Sequence, residues 1–117
     1  MATFIATLSY ELHPSTDPDA RKLLRAELVG HRWLDRCKDE RMPANTLWAR
    51  RIADEKHTTD DVHAACADDL RKAVAAVAQM GRKISLTRAW IQVSGAGTYG
   101  LVAVDSPAPD DGRADPR

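Results

Sequence analysis

The sequence predicts a small α+β domain, a ferredoxin-like βαββαβ sandwich with two helices packed on one face of an antiparallel sheet. Three observations predict this class. The first segment alternates as a strand does, two later segments each carry one apolar stripe at helical spacing, and the other strand-like segments lie between and after these two. Because each helix has a single stripe, both are expected to cover the same face of the sheet. A chain of 117 residues is long enough for one hydrophobic core.

Residues 3–12 are predicted to form the first strand. Their side chains alternate with a period of two, and β-branched and aromatic residues are frequent among them. One face of this strand carries Phe4, Ala6, Leu8, Tyr10 and Leu12. The other face carries Thr3, Ile5, Thr7, Ser9 and Glu11.

The first helix has two candidate N-caps. Thr16 and Asp19 have the spacing of a capping box, and Asp17 before Pro18 is the alternative. The apolar stripe that follows comes to an end at Gly30, which is typical of a helix C-terminus.

A hairpin is predicted in the middle of the chain. Residues 32–37 form its first strand, residues 46–53 form its second, and the polar residues 38–45 connect them.

The second helix is predicted to begin with Thr58 or Thr59 as its cap and to end near Gly81. Its apolar stripe consists of Val62, Cys66, Leu70, Ala73, Val74 and Val77.

The C-terminal part of the chain is predicted to contain a long strand over 84–93, a turn over 94–97 and an extra strand over 98–104. Residues 105–117 contain three prolines and lack apolar periodicity, which indicates a disordered tail. The expected organisation is therefore one domain over 1–104 followed by that tail.

Composition narrows the functional classes. Seventeen basic residues balance seventeen acidic ones, so the chain as a whole has no attraction for nucleic acid. The phosphate-loop, dinucleotide-binding, zinc-protease and nucleophile-elbow motifs are absent, and neither a cofactor nor a metal is predicted. Without a signal peptide, a membrane span or a CxxC pair, the expectation is a cytoplasmic protein with free thiols at Cys37 and Cys66.

Basic and aromatic residues cluster on the central hairpin. Arginine neutralises phosphate and tryptophan stacks on unpaired bases, so the cluster predicts a surface for single-stranded RNA. The alternative is a set of cross-strand ion pairs around two core tryptophans. The predicted nucleic-acid-binding residues are Arg32, Trp33, Arg36, Arg41, Trp48, Arg50 and Arg51.

Two residues near the end of the first strand are candidates for chemistry. His13 has a side chain that can exchange protons near neutral pH, although an exposed histidine without a role is the alternative. Glu11 lies on the polar face of the strand, where it is an ordinary solvated acid. The alternative is that, in a symmetric dimer, two such carboxylates meet across the two-fold axis and hold a divalent cation.

Two stretches carry a resemblance to a known family. The first strand ends in Ser9, Tyr10 and Glu11, and residues 38–46 read KDERMPANT between the hairpin strands. With the helix after the first strand, these resemble the GhoS-type antitoxin endoribonucleases, whose fold is similar to the small ferredoxin-like subunit of the CRISPR adaptation machinery. The resemblance implies that messenger RNA is bound or cleaved within a toxin–antitoxin pair.

The same resemblance implies a mechanism that needs a base for the 2′-hydroxyl proton and a cation for the pentavalent phosphate. Glu11 and His13 are the catalytic candidates for the base. Arg36, Arg50 and Arg51 are the candidates for the cation.

Three functions therefore stay open. The chain is an RNA-binding or weakly endoribonucleolytic protein of the antitoxin type, a non-catalytic protein-interaction module acting through the hairpin and sheet edge, or a regulatory domain that binds a small ligand at a homodimer interface. Its partners under these readings are single-stranded RNA, another protein, a metabolite or a second copy of the chain.

Overall fold

The secondary structure is α+β, as expected from the sequence, but three strands lie between the two helices instead of the predicted two. The computed structural model describes residues 2–95 and 100–102. Its strands are β1 (Ala2–Leu12), β2 (Arg36–Cys37), β3 (Glu40–Arg41), β4 (Thr46–Ala53) and β5 (Leu86–Gly95), and its helices are α1 (Pro18–Gly30) and α2 (Thr59–Gln79).

Three of the strands form an antiparallel sheet in the order β4-β1-β5, with β1 in the middle. Leu8 pairs with Leu47 on one side and with Ile91 on the other. The register beside β5 shifts between Glu11 and Leu12, where one extra residue of β5 is accommodated. β2 and β3 form a separate two-stranded hairpin.

The hydrophobic core lies between the helices and one face of the sheet. The even-numbered residues of β1 from Phe4 to Leu12 are buried there, as the period of two requires, against the apolar stripes of α1 and α2. Both helices therefore cover the same face. The largest fully buried side chains are Trp33, Leu8, Leu24, Leu28, Leu47, Val77 and Cys66.

The structure selects one cap for each helix. Asp17 is the N-cap of α1, accepting a hydrogen bond from the Asp19 N–H at 2.9 Å, with Pro18 at the first helical position. Thr58 caps α2 in a complete capping box with Asp61.

Thr16, the other candidate cap, instead joins the start of α1 to the segment before β5. It is buried, its Oγ1 donates to the Ser85 carbonyl at 3.4 Å, and the same oxygen accepts from the Ser85 N–H at 3.2 Å.

The hairpin differs from the prediction. Within the predicted 32–37 strand only Leu34 pairs with β4 through its backbone, by an isolated bridge to Trp48, and the hairpin of β2 and β3 lies partly inside the predicted connection. The cause is local, because Arg32 adopts a left-handed φ of 71° and Lys38 one of 57°, which interrupt an extended chain on both sides.

The C-terminal predictions are only partly covered by the described residues. β5 runs to Gly95, so Ser94 and Gly95 belong to the strand and not to a turn. Residues 100–102 belong to no strand, while the rest of the predicted 98–104 strand and the 105–117 tail lie outside the described residues. No helix within the described ranges is long and apolar enough to cross a membrane.

Replacing Thr16 by valine is expected to lower the free energy of unfolding by about 1–2 kcal/mol, because the Ser85 N–H loses its acceptor while the side-chain volume is kept. The Ser85 carbonyl keeps the hydrogen bond from the His13 N–H at 2.9 Å. Urea denaturation measures the change. Thr87→Val, at an exposed position of β5, is the control and is expected to stay within about 0.5 kcal/mol of the parent. Equal effects of the two substitutions would contradict this role for Thr16.

Candidate nucleic-acid interface

The face of the sheet turned away from the helices is the candidate site, and we call it the open face. Cross-strand partners share a face, so the odd-numbered residues of β1 determine which residues of β4 and β5 accompany them. Ile5 pairs with Arg50, Ser9 with Trp90, and Glu11 with Arg88. The open face consists of Thr3, Ile5, Thr7, Ser9 and Glu11 of β1, Thr46, Trp48, Arg50 and Ile52 of β4, and Arg88, Trp90, Gln92 and Ser94 of β5.

The β2–β3 hairpin covers the middle of the open face. The Trp48 indole N–H donates to the Arg36 carbonyl oxygen at 2.7 Å, which joins the hairpin to β4. Cys37, Met42 and Leu101 surround Ile5, Thr7 and Trp48 around a cavity of about 230 Å³. This cover explains why Ile5 is buried although it lies outside the main core.

The open face is uncovered where β1 ends. A groove of about 430 Å³ lies there, large enough for a small ligand. Its most prominent side chain is Trp90, which is 58% exposed although a tryptophan ring is normally buried. We call this the Trp90 groove; it is lined by Ser9, Tyr10, Glu11, Ala44, Asn45, Thr46, Arg88, Ala89 and Trp90.

Two pairs of polar side chains contact each other within the groove. The Ser9 and Thr46 hydroxyls lie 3.2 Å apart and bond to each other across β1 and β4. Arg88 Nε lies 3.7 Å from Glu11 Oε1, and these side chains are 76% and 48% exposed. An ion pair so accessible to water is weak, so both groups can turn towards a ligand.

Asn45 forms the wall beside β4. It adopts a left-handed φ of 61°, and its carbonyl oxygen accepts from the Tyr10 N–H at 3.1 Å. Asparagine tolerates this conformation better than most residues, which explains its position at the turn into β4.

Of the two catalytic candidates, only Glu11 lines the groove. His13 lies in the turn after β1, where its Nδ1 accepts from the Ser15 N–H at 3.0 Å and lies 2.7 Å from the Ser15 hydroxyl. These contacts hold the imidazole against its own turn.

The predicted basic cluster is divided by the structure. Arg36 and Arg41 lie opposite each other on the exposed hairpin, and Arg50 is exposed on the open face. Arg32 is exposed in the connection after α1. With Trp48, the first three stay on the side of the sheet that carries the Trp90 groove.

Trp33 and Arg51 lie on the helix side instead. Trp33 has no exposed surface, and the Arg51 guanidinium lies 5.1 Å from its ring centroid. Arg51 Nη2 also donates to Asp69 Oδ2 at 3.0 Å and to the His31 carbonyl at 3.3 Å. This half of the cluster is an ion pair beside one core tryptophan, and it joins β4 to α2 instead of forming the cross-strand pairs of the alternative prediction. A buried ring cannot stack on a base.

The two most prominent groove residues, Arg88 and Trp90, were not among the predicted site residues. A signal for them exists in the sequence, because Ala89, Ile91 and Val93 alternate with them along the strand. Ile91 and Val93 pack against the core, so Arg88 and Trp90, which alternate with them along the strand, point to the open face, whereas Ala89 is exposed.

A second cavity, of about 460 Å³, lies between the end of β4 and the start of α2. Its charged groups already have partners, since Asp61 completes the cap of Thr58 and Asp69 accepts from Arg51. Among the described residues, no group of three or more His, Cys, Asp or Glu side chains could hold a metal ion.

Cys66 lines this second cavity as a free, buried thiol. Burial raises its pKa, the nearby Arg51 lowers it, and Asp69 raises it, with burial the largest effect. The protonated thiol is therefore the favoured form in the folded protein.

Comparisons of the chain with protein-family models, with curated proteins and with solved structures find no match in any of the three.

The raised pKa of Cys66 predicts a loss of stability at alkaline pH. Its contribution is fully present below the ordinary thiol pKa of about 8.5 and is lost as the pH rises towards the higher folded value. The difference in unfolding free energy between the parent and Cys66→Ala should therefore shrink between about pH 7 and about pH 10.

Urea denaturation across this pH range measures that difference. Val77→Ala is the matched control, because it removes buried atoms from the same helix face and keeps the thiol. The difference in unfolding free energy between the parent and Val77→Ala should stay constant with pH. If the difference in unfolding free energy between the parent and Cys66→Ala were also constant with pH, the thiol would have the same pKa in the folded and unfolded states.

Proposed function

We propose that this protein binds single-stranded RNA through the open face of its sheet, with the Trp90 groove receiving a base. The single observation that carries the proposal is the 58% exposed Trp90 ring beside an accessible arginine in a groove that accommodates a small ligand. A flat aromatic ring on an open antiparallel sheet is a recurrent platform for unpaired bases.

The proposal includes a ferredoxin-like topology. In a βαββαβ chain the first strand lies between the third and the fourth strands of that pattern, and both neighbours are antiparallel to it. In this chain β4 corresponds to the third strand of the pattern and β5 to the fourth. The order β4-β1-β5 is consistent with this arrangement. Leu34, which bridges to Trp48 at the free side of β4, takes the place of the second strand.

Stacking is the main source of affinity under this proposal. A base that stacks on an aromatic side chain contributes about 1–3 kcal/mol. Bases in a duplex are stacked on each other and are not available to Trp90, so the groove favours an unpaired strand.

Phosphate contacts come from the arginines on the same side of the molecule. Arg50 lies on the open face, and Arg36 and Arg41 project from the hairpin that covers it. The neighbouring Asp39 and Glu40 reduce the positive charge of the hairpin. Electrostatic attraction is therefore local and moderate, as the neutral composition requires.

Trp90→Ala is expected to weaken binding of a short single-stranded RNA of mixed sequence by about 5- to 150-fold, which corresponds to the loss of one stacked base. Fluorescence anisotropy with end-labelled RNA measures the affinity. Met80→Ala is the matched control, since it also truncates an exposed apolar side chain but lies just beyond α2. The control should bind as the parent does.

Two results would overturn this proposal. One is equal affinity of the parent and Trp90→Ala for the RNA. The other is a change of oligomeric state in Trp90→Ala, measured by light scattering, without a change in RNA affinity, which would make the open face an interface between copies of the chain.

Arg50 and Arg51 are neighbours that should behave oppositely. Arg50→Ala is expected to weaken RNA binding, to reduce the slope of log affinity against log salt by about 0.7, and to leave stability within about 0.5 kcal/mol. Arg51→Ala should lower the free energy of unfolding by about 1–3 kcal/mol, because Asp69 and the His31 carbonyl lose a donor, while the folded protein binds RNA as before.

Anisotropy over a salt series and urea denaturation separate these effects. If Arg51→Ala reduced the salt slope and Arg50→Ala did not, the phosphates would lie on the helix side and the assignment of the open face would be wrong.

A further inference from the structure

The charged pair in the Trp90 groove, Glu11 and Arg88, can distinguish among bases by their hydrogen-bond donors and acceptors. A glutamate carboxylate only accepts hydrogen bonds and an arginine guanidinium only donates them. Among the described residues, Glu11 and Arg88 have each other as their ionic partner, at a loose 3.7 Å. A ligand that offers donors to one and acceptors to the other can replace this contact with better ones.

We propose that the Trp90 groove is a guanine subsite, in which Glu11 accepts from the N1–H and the 2-amino group and Arg88 donates to O6 and N7. This inference rests on the proposed binding of single-stranded RNA and names the base that the groove prefers. Arginine donating to O6 and N7 is the most common specific contact to guanine in nucleic-acid complexes.

The other bases match the pair less well. Adenine and cytosine each place a ring-nitrogen acceptor beside their amino group, so a carboxylate that approaches the amino group also meets a lone pair. Uracil offers one N–H between two carbonyl oxygens. Guanine alone combines two adjacent donors with two adjacent acceptors, which is the complement of a carboxylate next to a guanidinium.

The charged pair offers stronger hydrogen bonds to a base than the neutral groups of the groove do. The Ser9 and Thr46 hydroxyls bond to each other, the backbone carbonyl of Asn45 accepts from the Tyr10 N–H, and the Asn45 side-chain amide is a neutral group that both donates and accepts. Trp90 stacks on any base and does not discriminate strongly. The preference is therefore assigned to Glu11 and Arg88 together.

The test uses the full chain and a set of single-stranded RNAs that are identical except at one central position in a run of uridines. That position is guanosine, inosine, 7-deazaguanosine or adenosine. Inosine lacks only the 2-amino group of guanosine, so it removes one donor to Glu11. 7-Deazaguanosine replaces N7 by a carbon, so it removes one acceptor from Arg88.

The parent protein is expected to bind the guanosine RNA about five- to tenfold more tightly than the inosine RNA, at the lower end of the range for a bidentate base contact because the groove is open to water. Glu11→Gln should bring this ratio close to one, because an amide offers a single acceptor oxygen. The parent should also bind the 7-deazaguanosine RNA more weakly than the guanosine RNA, and Arg88→Ala should remove this difference. Both residues are exposed, so neither substitution is expected to disturb the fold.

Three results contradict the inference in distinguishable ways. Equal binding of all four RNAs by the parent, with the Trp90→Ala effect retained, removes the guanine subsite and leaves the RNA-binding function. A uniform gain in affinity for every RNA in Glu11→Gln, with the guanosine-to-inosine ratio unchanged, shows that Glu11 acts only as a negative charge. If no RNA binds the parent at all, the proposed function fails as well.

Discussion

The central position of β1 constrains both faces of the sheet at once. Its even-numbered side chains are buried under α1 and α2, so its odd-numbered side chains must point to the open face. Pairing with β4 and β5 then places Thr46 and Trp90 beside Ser9, and Arg88 beside Glu11. A slip of one residue would expose Leu8 and bury Glu11, and the cost of that exchange keeps the groove residues together.

The β2–β3 hairpin divides the open face into two parts. Cys37 of the hairpin, Met42 just after it and Leu101 give the middle of the face an apolar cover over Ile5. The end near Glu11 lies beyond this cover and stays accessible. A sheet with one helical layer leaves its second face to water, and here a short hairpin reduces the apolar area that this would expose.

The sequence predicts the elements of this molecule better than it predicts the site. β4 lies at its predicted residues, and Thr58 caps α2 as one of its two candidates, because alternation and capping are local properties. Whether Trp33 or Trp48 is exposed depends on the left-handed turn at Arg32 and on pairing with β4, which are not local. Trp90 differs from both, since the alternation of its own strand already places it opposite the core.

A carboxylate in the groove that we propose to bind RNA needs a physical reason. Glu11 repels phosphate and also repels the ring-nitrogen acceptors of adenine and cytosine, so it lowers the general affinity of the surface. Specificity is a difference between affinities, and a group that weakens binding to the wrong bases increases it as much as a new contact to the right one. Arg88, whose Nε lies 3.7 Å from Glu11 Oε1, offsets part of the charge of Glu11. The pair contributes favourably to binding when the base offers donors to Glu11 and acceptors to Arg88, and it lowers the affinity for other bases.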